Sequence, residues 1–176
     1  QETEQVRLTY PSTEIVLHAL DEKPKKKWKI RYPIEAEGDR IEVQSLLFRL
    51  EDLKALAIVD QGPERERLAP MLTKPKVKVT LSAAGADHVV RLFQPDPTSG
   101  EAYAQTTSDG PIYKISPSSI KDLTKDLFTL QDKRLLGVEI GDIAMLSIKT
   151  REEQYVLIHE RNEWVLEDQP TEKLRQ

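Results

Sequence analysis

The residues with the means to do chemistry are few, and they are scattered along the chain. Lys23, Lys25, Lys26 and Lys27 crowd one turn, and Lys29 and Arg31 follow around Trp28 in "KKKWKIRYPIE". Such a cluster could engage anionic lipid or polyanionic cell-wall material, with Trp28 stacking on a sugar or a cation. A hairpin tip whose lysines keep it hydrated and deter edge pairing has the same composition. Tyr103 and Tyr113 flank the "SDGP" tip and are expected to be exposed. There they would form a cross-strand pair or a platform on which a ligand stacks. The candidate ligand or partner surface is therefore Lys25, Lys26, Lys27, Tyr103 and Tyr113.

Other reactive groups lack the spacing that their chemistry needs. His18, His88 and His159 could supply a zinc site in principle, but each falls in a different strand pair, with no His-x-His or His-x3-His step. Glu35, Glu37 and Asp39 cluster before a helix, where capping and solvation account for them. Glycosidase-type work would need two carboxylates facing one cleft. Ser116, Ser118 and Ser119 start a helix and are not set in a nucleophile elbow. There is no phosphate loop, dinucleotide fingerprint or nucleic-acid module. No catalytic, cofactor-binding or metal-ligating residue is assigned, and no cofactor is expected.

Composition narrows the class. The chain has 176 residues, 32% of them charged and 38% hydrophobic, enough for a real core in one ordinary domain or two small ones. A net charge of −4 gives no global attraction to nucleic acid or an anionic membrane. With no Cys, disulfide and thiolate chemistry are excluded, and the chain is indifferent to redox compartment. No run approaches the ~18 apolar residues that span a bilayer. The chain opens on "QETEQV" without Met, so a removed signal or anchor is expected before it.

Two stretches have helical periodicity. Val43, Leu46, Leu50, Leu53 and Ala57 fall on one stripe, with Asp39 as N-cap and Glu42 completing a capping box. Ile120, Leu123, Leu127 and Leu130 form a second stripe, with Ser116 as N-cap and Pro117 at the first helical position. Alternation at two predicts strands in "VRLTY", "EIVLHAL" and "WKIRYPI", then "KVKVTL", "HVVRLF", "EAYAQTT" and "PIYKIS", then "AMLSIKT", "QYVLIHE" and "EWVLE". "AAGAD" and "SDGP" read as hairpin turns, "QPDPTSG" as a longer loop and "DQGPERERLAP" as a linker. Short turns between successive strands imply an α+β fold of antiparallel β-meander units, each backed by an amphipathic helix.

A repeat is suggested within this order. "EIVLHAL…WKIRYPI" aligns with "QYVLIHE…WVLEDQP", matching Val16-Leu17-His18 to Leu157-Ile158-His159, Trp28 to Trp164 and, one residue shifted, Pro33 to Pro170. On this reading Trp28 is a core anchor, and the lysines belong to its copy alone. The expected organisation is a first βββα unit over 1–60, a middle ββββα unit over 61–137, and over 138–176 the start of a second, cut-short copy of the first. The helix of that copy should start at "TEKLRQ", so either the sequence is a piece of a longer chain or a neighbour supplies the cover.

Trp, alternating apolar residues, Pro, an acidic cap and a leucine-striped helix carry a family resemblance. In "WKIRYPIEAEGDRIEVQSLLFRLEDLKAL", "KPKVKVTL", "EAYAQTTSDGPIYKIS", "LQDKRLLGVEIGDIAMLSI" and "EWVLEDQP", the chain resembles the bacterial domain-of-unknown-function family 4340 (DUF4340) over most of its length. It departs at "RLAPMLTKP", where the family often has Tyr-Gly-Leu, and at "LFQPDP", where a Gly is common. The resemblance implies a periplasmic or otherwise extracytoplasmic domain behind an N-terminal membrane anchor. It also implies protein partners in gliding-type ABC export systems. No activity or catalytic residue comes with it. The expected function is thus a non-enzymatic interaction domain, a membrane-tethered accessory of a transport or envelope assembly. A binding module for envelope polysaccharide or anionic lipid is the alternative, and a hydrolase with paired carboxylates a third.

Overall fold

Alternating side chains build the first meander, β1 (Thr3–Thr9), β2 (Glu14–Leu20) and β3 (Lys27–Tyr32), so that Val6, Leu8, Ile15, Leu17, Trp28 and Ile30 share one face, while Val16 is buried on the other. The computed structural model describes residues 3–20, 27–138, 140–160 and 163–167. These divide into two units, Gln1–Lys133 and Arg134–Gln176.

The first unit is built on a nine-stranded antiparallel sheet. Its further strands are β4 (Ala36–Gly38), β5 (Ala57–Val59), β6 (Val77–Ala83), β7 (Ala86–Phe93), β8 (Ala102–Gln105) and β9 (Ile112–Ile115), and the spatial order is β4-β3-β2-β1-β6-β7-β8-β9-β5. β1 pairs with β6 in the register Val6↔Leu81 and Leu8↔Val79. Residues 1–60 and 61–137 were expected to be separate units; that pairing makes them share one sheet and one core. The second unit begins at Arg134 rather than at 138.

Helices α1 (Arg40–Glu51), α3 (Pro117–Leu123) and α4 (Leu127–Leu130) cover the apolar face through Val43, Leu46, Ile120, Leu123 and Leu130. Asp39 caps α1 as expected, accepting from Ile41 N at 2.9 Å and Glu42 N at 3.1 Å. Glu42 does not close a capping box and holds Lys125 Nζ at 3.0 Å instead. The expected stripe overran the helix, because α1 stops at Asp52 and Ala57 lies in β5. An open edge on β9 captures the chain there, Leu56 N donating to Lys114 O at 2.7 Å, and pairing overrides periodicity. The second stripe is split between α3 and α4. Thr124 takes an extended conformation with its hydroxyl on Ile120 O at 2.6 Å, and Asp126 caps a new helix through Thr129 N at 2.7 Å.

A smaller core lies on the opposite face. The expected linker "DQGPERERLAP" holds α2 (Pro63–Leu68), which starts after Gly62 at φ 83. Leu68 and Leu72 pack there with Val59, Phe93, Tyr103 and Ile112. Arg65 fastens the β8–β9 turn by donating to Gly110 O at 2.8 Å and Asp109 O at 2.9 Å, and Glu64 pairs with Lys114 at 2.6 Å.

The second unit is a three-stranded antiparallel meander of β10 (Met145–Lys149), β11 (Gln154–Glu160) and β12 (Glu163–Leu166). The alignment of this meander with the first through its histidines fails. His18 pairs with Lys29, and Trp28 projects to the other face opposite Ala19, whereas His159 pairs with Trp164 itself. Because strand faces alternate, a one-residue shift inverts every side chain. Pro170, the expected counterpart of Pro33, lies outside the described residues.

Trp28, 3% exposed, is a core anchor as expected, although Trp164, the counterpart on which that expectation leaned, is 39% exposed. Gly38 faces it across the β3–β4 pair, where a Cβ would meet Trp28 Cβ at 3.0 Å and Trp28 O at 3.1 Å. Trp28→Ala should lose about 3–5 kcal/mol and Gly38→Ala about 1–3 kcal/mol in urea unfolding. A fully stable Trp28→Ala protein would contradict the packing described here. In the β6–β7 turn Ala84 and Gly85 both have positive φ, 51 and 77, as a type I′ turn requires. Ala84→Gly should therefore raise stability or leave it unchanged, despite Gly's greater chain entropy, with a gain of at most about 1 kcal/mol. A clear loss in the same assay would refute the strain at Ala84.

Candidate functional site

Among the described residues of the expected surface, Lys27 lies on β3 and Tyr103 and Tyr113 lie on β8 and β9, so they do not form one patch. Lys25 and Lys26 lie outside the described residues. Lys27 opens β3 opposite Leu20 and is exposed. Further along the strand, Glu35 takes up both following cations, Lys29 at 3.7 Å and Arg31 at 3.4 Å. Exposed pairs of this kind add little stability, about 0–1 kcal/mol each, but they neutralise the strand locally.

The tyrosine pair is corrected. Tyr103 pairs with Lys114 and Tyr113 with Ala104, so adjacent registers send the two rings to opposite faces of the sheet. Tyr103 is 1% exposed in the smaller core, while Tyr113 packs, half-buried, against the main one. They cannot form one stacking platform. Burial, and then the Glu101 carboxylate, push the Tyr103 phenol up from its ordinary pKa. The turn length set this outcome: Thr106 to Pro111 is longer than a tight hairpin loop, which offsets the pairing from the symmetric one that the sequence suggests.

The histidines are likewise apart. His18 shares a face with Gln5, and His88, opposite Leu81, is on the other. His159 stacks on Trp164 with ring centroids 4.8 Å apart. Among the described residues no group of three His, Asp or Glu is placed to hold a metal ion.

What the structure does assemble, and the sequence did not reveal, is a groove of about 510 Å³ at one end of the first unit. Ile15, Pro33 and Leu127 supply apolar wall; Tyr10, Thr13, Lys125, Asp126 and Thr129 supply polar groups. Tyr10 stands at the β1–β2 turn, where its N–H donates to Thr13 O at 2.8 Å. Its hydroxyl donates to the Lys125 carbonyl between α3 and α4. The two residues are 115 positions apart, so no local pattern could have signalled the contact.

The polar groups of the groove are engaged in holding it together. Lys125 is bonded to Glu42 at 3.0 Å. Asp126 is held below the usual carboxylate range, first by the Thr129 hydroxyl and then by the Thr129 N–H. Burial pushes the Tyr10 phenol up to about 12, helped by the negative charge of Asp126. Neither Tyr10 nor Asp126 exchanges a proton near neutral pH. The groove suits an apolar group lying on Ile15, Pro33 and Leu127.

The raised Tyr10 pKa has a stability consequence. The neutral phenol is favoured by the fold, so its contribution is complete below pH 10 and is lost as pH rises through about 12. Across that window, Tyr10→Phe should lose stability less steeply than the parent in paired urea titrations. Parallel curves from pH 9 to 12 would show that Tyr10 is not buried as described.

No curated protein and no solved structure matches the chain. A family model does, over residues 28–176, and it spans the Trp28 strand, the helices that cover it and the second meander. The chain therefore belongs to the family described as "Domain of unknown function (DUF4340)".

Proposed function

We propose that this chain is a non-enzymatic extracytoplasmic interaction domain. It would be held at the membrane by an N-terminal anchor and serve as an accessory of a transport or envelope assembly. The observation that carries the reading is the second meander. On one face of β10–β12, Leu146, Ile148, Tyr155, Leu157, Trp164 and Leu166 form a continuous apolar and aromatic row. Tyr155, Trp164 and Leu166 remain 40%, 39% and 53% exposed. A three-stranded meander needs packing on one face for stability, and a row of this size on a well-hydrated chain marks an interaction site.

A duplication belongs to the same reading. Shifted by one residue from the histidine alignment, β2 lies on β11 with Ile15, Leu17 and Ala19 at the places of Tyr155, Leu157 and His159. The pairs then correspond in register: Val6↔Leu17↔Ile30 with Leu146↔Leu157↔Leu166, and Ala19↔Trp28 with His159↔Trp164. On this view the second meander is another copy of the first, presenting outward the face that the first buries.

The test uses the chain with Ile148→Glu and Leu166→Glu, both on exposed β-strand positions. Association with an exporter permease reconstituted in neutral-lipid nanodiscs should fall at least about tenfold, while unfolding of the first unit is unchanged. Undiminished association would sink the reading. So would salt-sensitive binding to phosphatidylglycerol vesicles that disappears on replacing Lys25, Lys26 and Lys27; that result would establish the anionic-lipid alternative.

A further inference from the structure

We infer that Lys78, Arg91 and Gln105, with Thr9 at their edge, form a binding site for one phosphate group on the nine-stranded sheet. Strand pairing puts the four residues in a single row across β1, β6, β7 and β8. Thr9 stands opposite Lys78, Lys78 opposite Arg91, and Arg91 opposite Gln105. Their chain neighbours Leu8, Val79 and Leu92 belong to the main core, so the row lies on the face turned away from α1, α3 and α4. Phe93 and Tyr103, the next facing pair on that side, belong to the smaller core. The row therefore runs along an apolar margin, where hydrogen bonds to a charged group are stronger than in open water. The site is separate from the β10–β12 face and from Lys25, Lys26 and Lys27.

Two cations face one another directly here, although like charges on opposed strand positions repel. Among the described residues neither forms an ion pair, and Arg91 spends one N–H on Thr106 O at 3.2 Å. The carboxylates of the flanking elements are committed elsewhere. Glu14, opposite Thr9, holds Arg7 at 3.3 Å. Asp87 and Asp96 accept from the Ser82 and Thr98 hydroxyls at 2.6 and 2.7 Å, and Glu101 stands beside Tyr103 and Lys114. α2 is balanced, Glu64 and Glu66 against Arg65 and Arg67, and Glu64 is held by Lys114 at 2.6 Å. Asp109, in the β8–β9 turn, pairs with neither cation. Gln105 gives a second, independent sign of a ligand. It is only 6% exposed, yet its side-chain amide has no hydrogen-bond partner among the described residues and is not sealed from the surface. Buried amides are ordinarily bonded. Side chains on facing positions start about 4.5–5.5 Å apart, so both cationic heads reach one tetrahedral oxyanion. The Arg91 fork grips two of its oxygens, the Lys78 ammonium meets them as a point charge, and the Gln105 amide donates to a third.

The probe is inorganic phosphate, titrated into the full chain at constant ionic strength and followed by amide NMR. Saturable shifts centred on Thr9, Lys78, Arg91 and Gln105 are expected, with a dissociation constant on the order of 1 mM or tighter. Replacing both cations, Lys78→Gln with Arg91→Gln, should weaken binding at least about tenfold. Gln105→Leu keeps both charges and should still weaken it about threefold or more. Lys78→Gln alone removes the facing charge, so the free chain should be as stable as the parent or more so in urea. That measurement separates lost binding from lost folding. Shifts that do not saturate, or equal binding by the doubly substituted chain, overturn the inference. Undiminished binding by Gln105→Leu also overturns it, because diffuse surface charge then accounts for the shifts. The source of the phosphate is read in a second arm. Co-sedimentation with phosphatidylglycerol vesicles that is lost on the double substitution supports the site and places the phosphate on a lipid headgroup. Saturable phosphate binding without vesicle binding supports it and places the phosphate on a solute.

Discussion

The antiparallel pairing of β1 with β6 is the constraint on which the first unit depends. Val6 and Leu8 meet Leu81 and Val79 across it, so two meanders that are distant in sequence present one continuous apolar face. Only a face of that width can be closed by α1, α3 and α4 together. The same pairing explains why each helix buries few residues of its own. α1 contributes Val43 and Leu46 and leaves Ile41 and Phe48 exposed, because the sheet supplies most of the core area. Stability in such a design comes from burying alternating strand residues, and helix propensity matters less.

The same closure shapes the groove beside Tyr10. The break between α3 and α4 turns the Lys125 carbonyl toward the β1–β2 turn, and the Tyr10 hydroxyl answers it. Lys125 is meanwhile tied back to α1 through Glu42. A hydroxyl, a cation and a carboxylate thus meet at the edge of an apolar depression. Tyr10 and Lys125 each join one element to another, and Asp126 caps α4. Their pKa shifts describe the same fact, since the phenol is held neutral by burial and the Asp126 carboxyl is held ionised by Thr129.

The contrast between the two meanders follows from what stands over each. In the first, Trp28 lies under helices and tolerates no more than a hydrogen at Gly38. In the second, Trp164 keeps a stacked His159 beside it and an exposed outer surface. Among the described residues, comparable strand patterns are therefore buried in one unit and exposed in the other, according to whether an element packs over them.

Much of this was legible in local pattern. Strand alternation placed nearly every β-element, and Asp39 announced the start of α1. These features depend on neighbours within one strand or one helical turn. Others turned on partners far away in sequence. β5 read as helix because its apolar spacing continues α1's stripe, and only β9 draws it into the sheet. α2 read as linker because Pro63 and four charged residues precede its single buried apolar residue, Leu68. Tyr103 and Tyr113 looked like a facing pair until the hairpin's register sent them to opposite sides. Periodicity and turn spacing determined the antiparallel α+β class, and a resemblance in the motifs around Trp28 pointed to the family; tertiary structure decided which faces are closed. Burial is a property of pairs of surfaces, and a single strand's alternation says which side is apolar without saying what, if anything, will cover it.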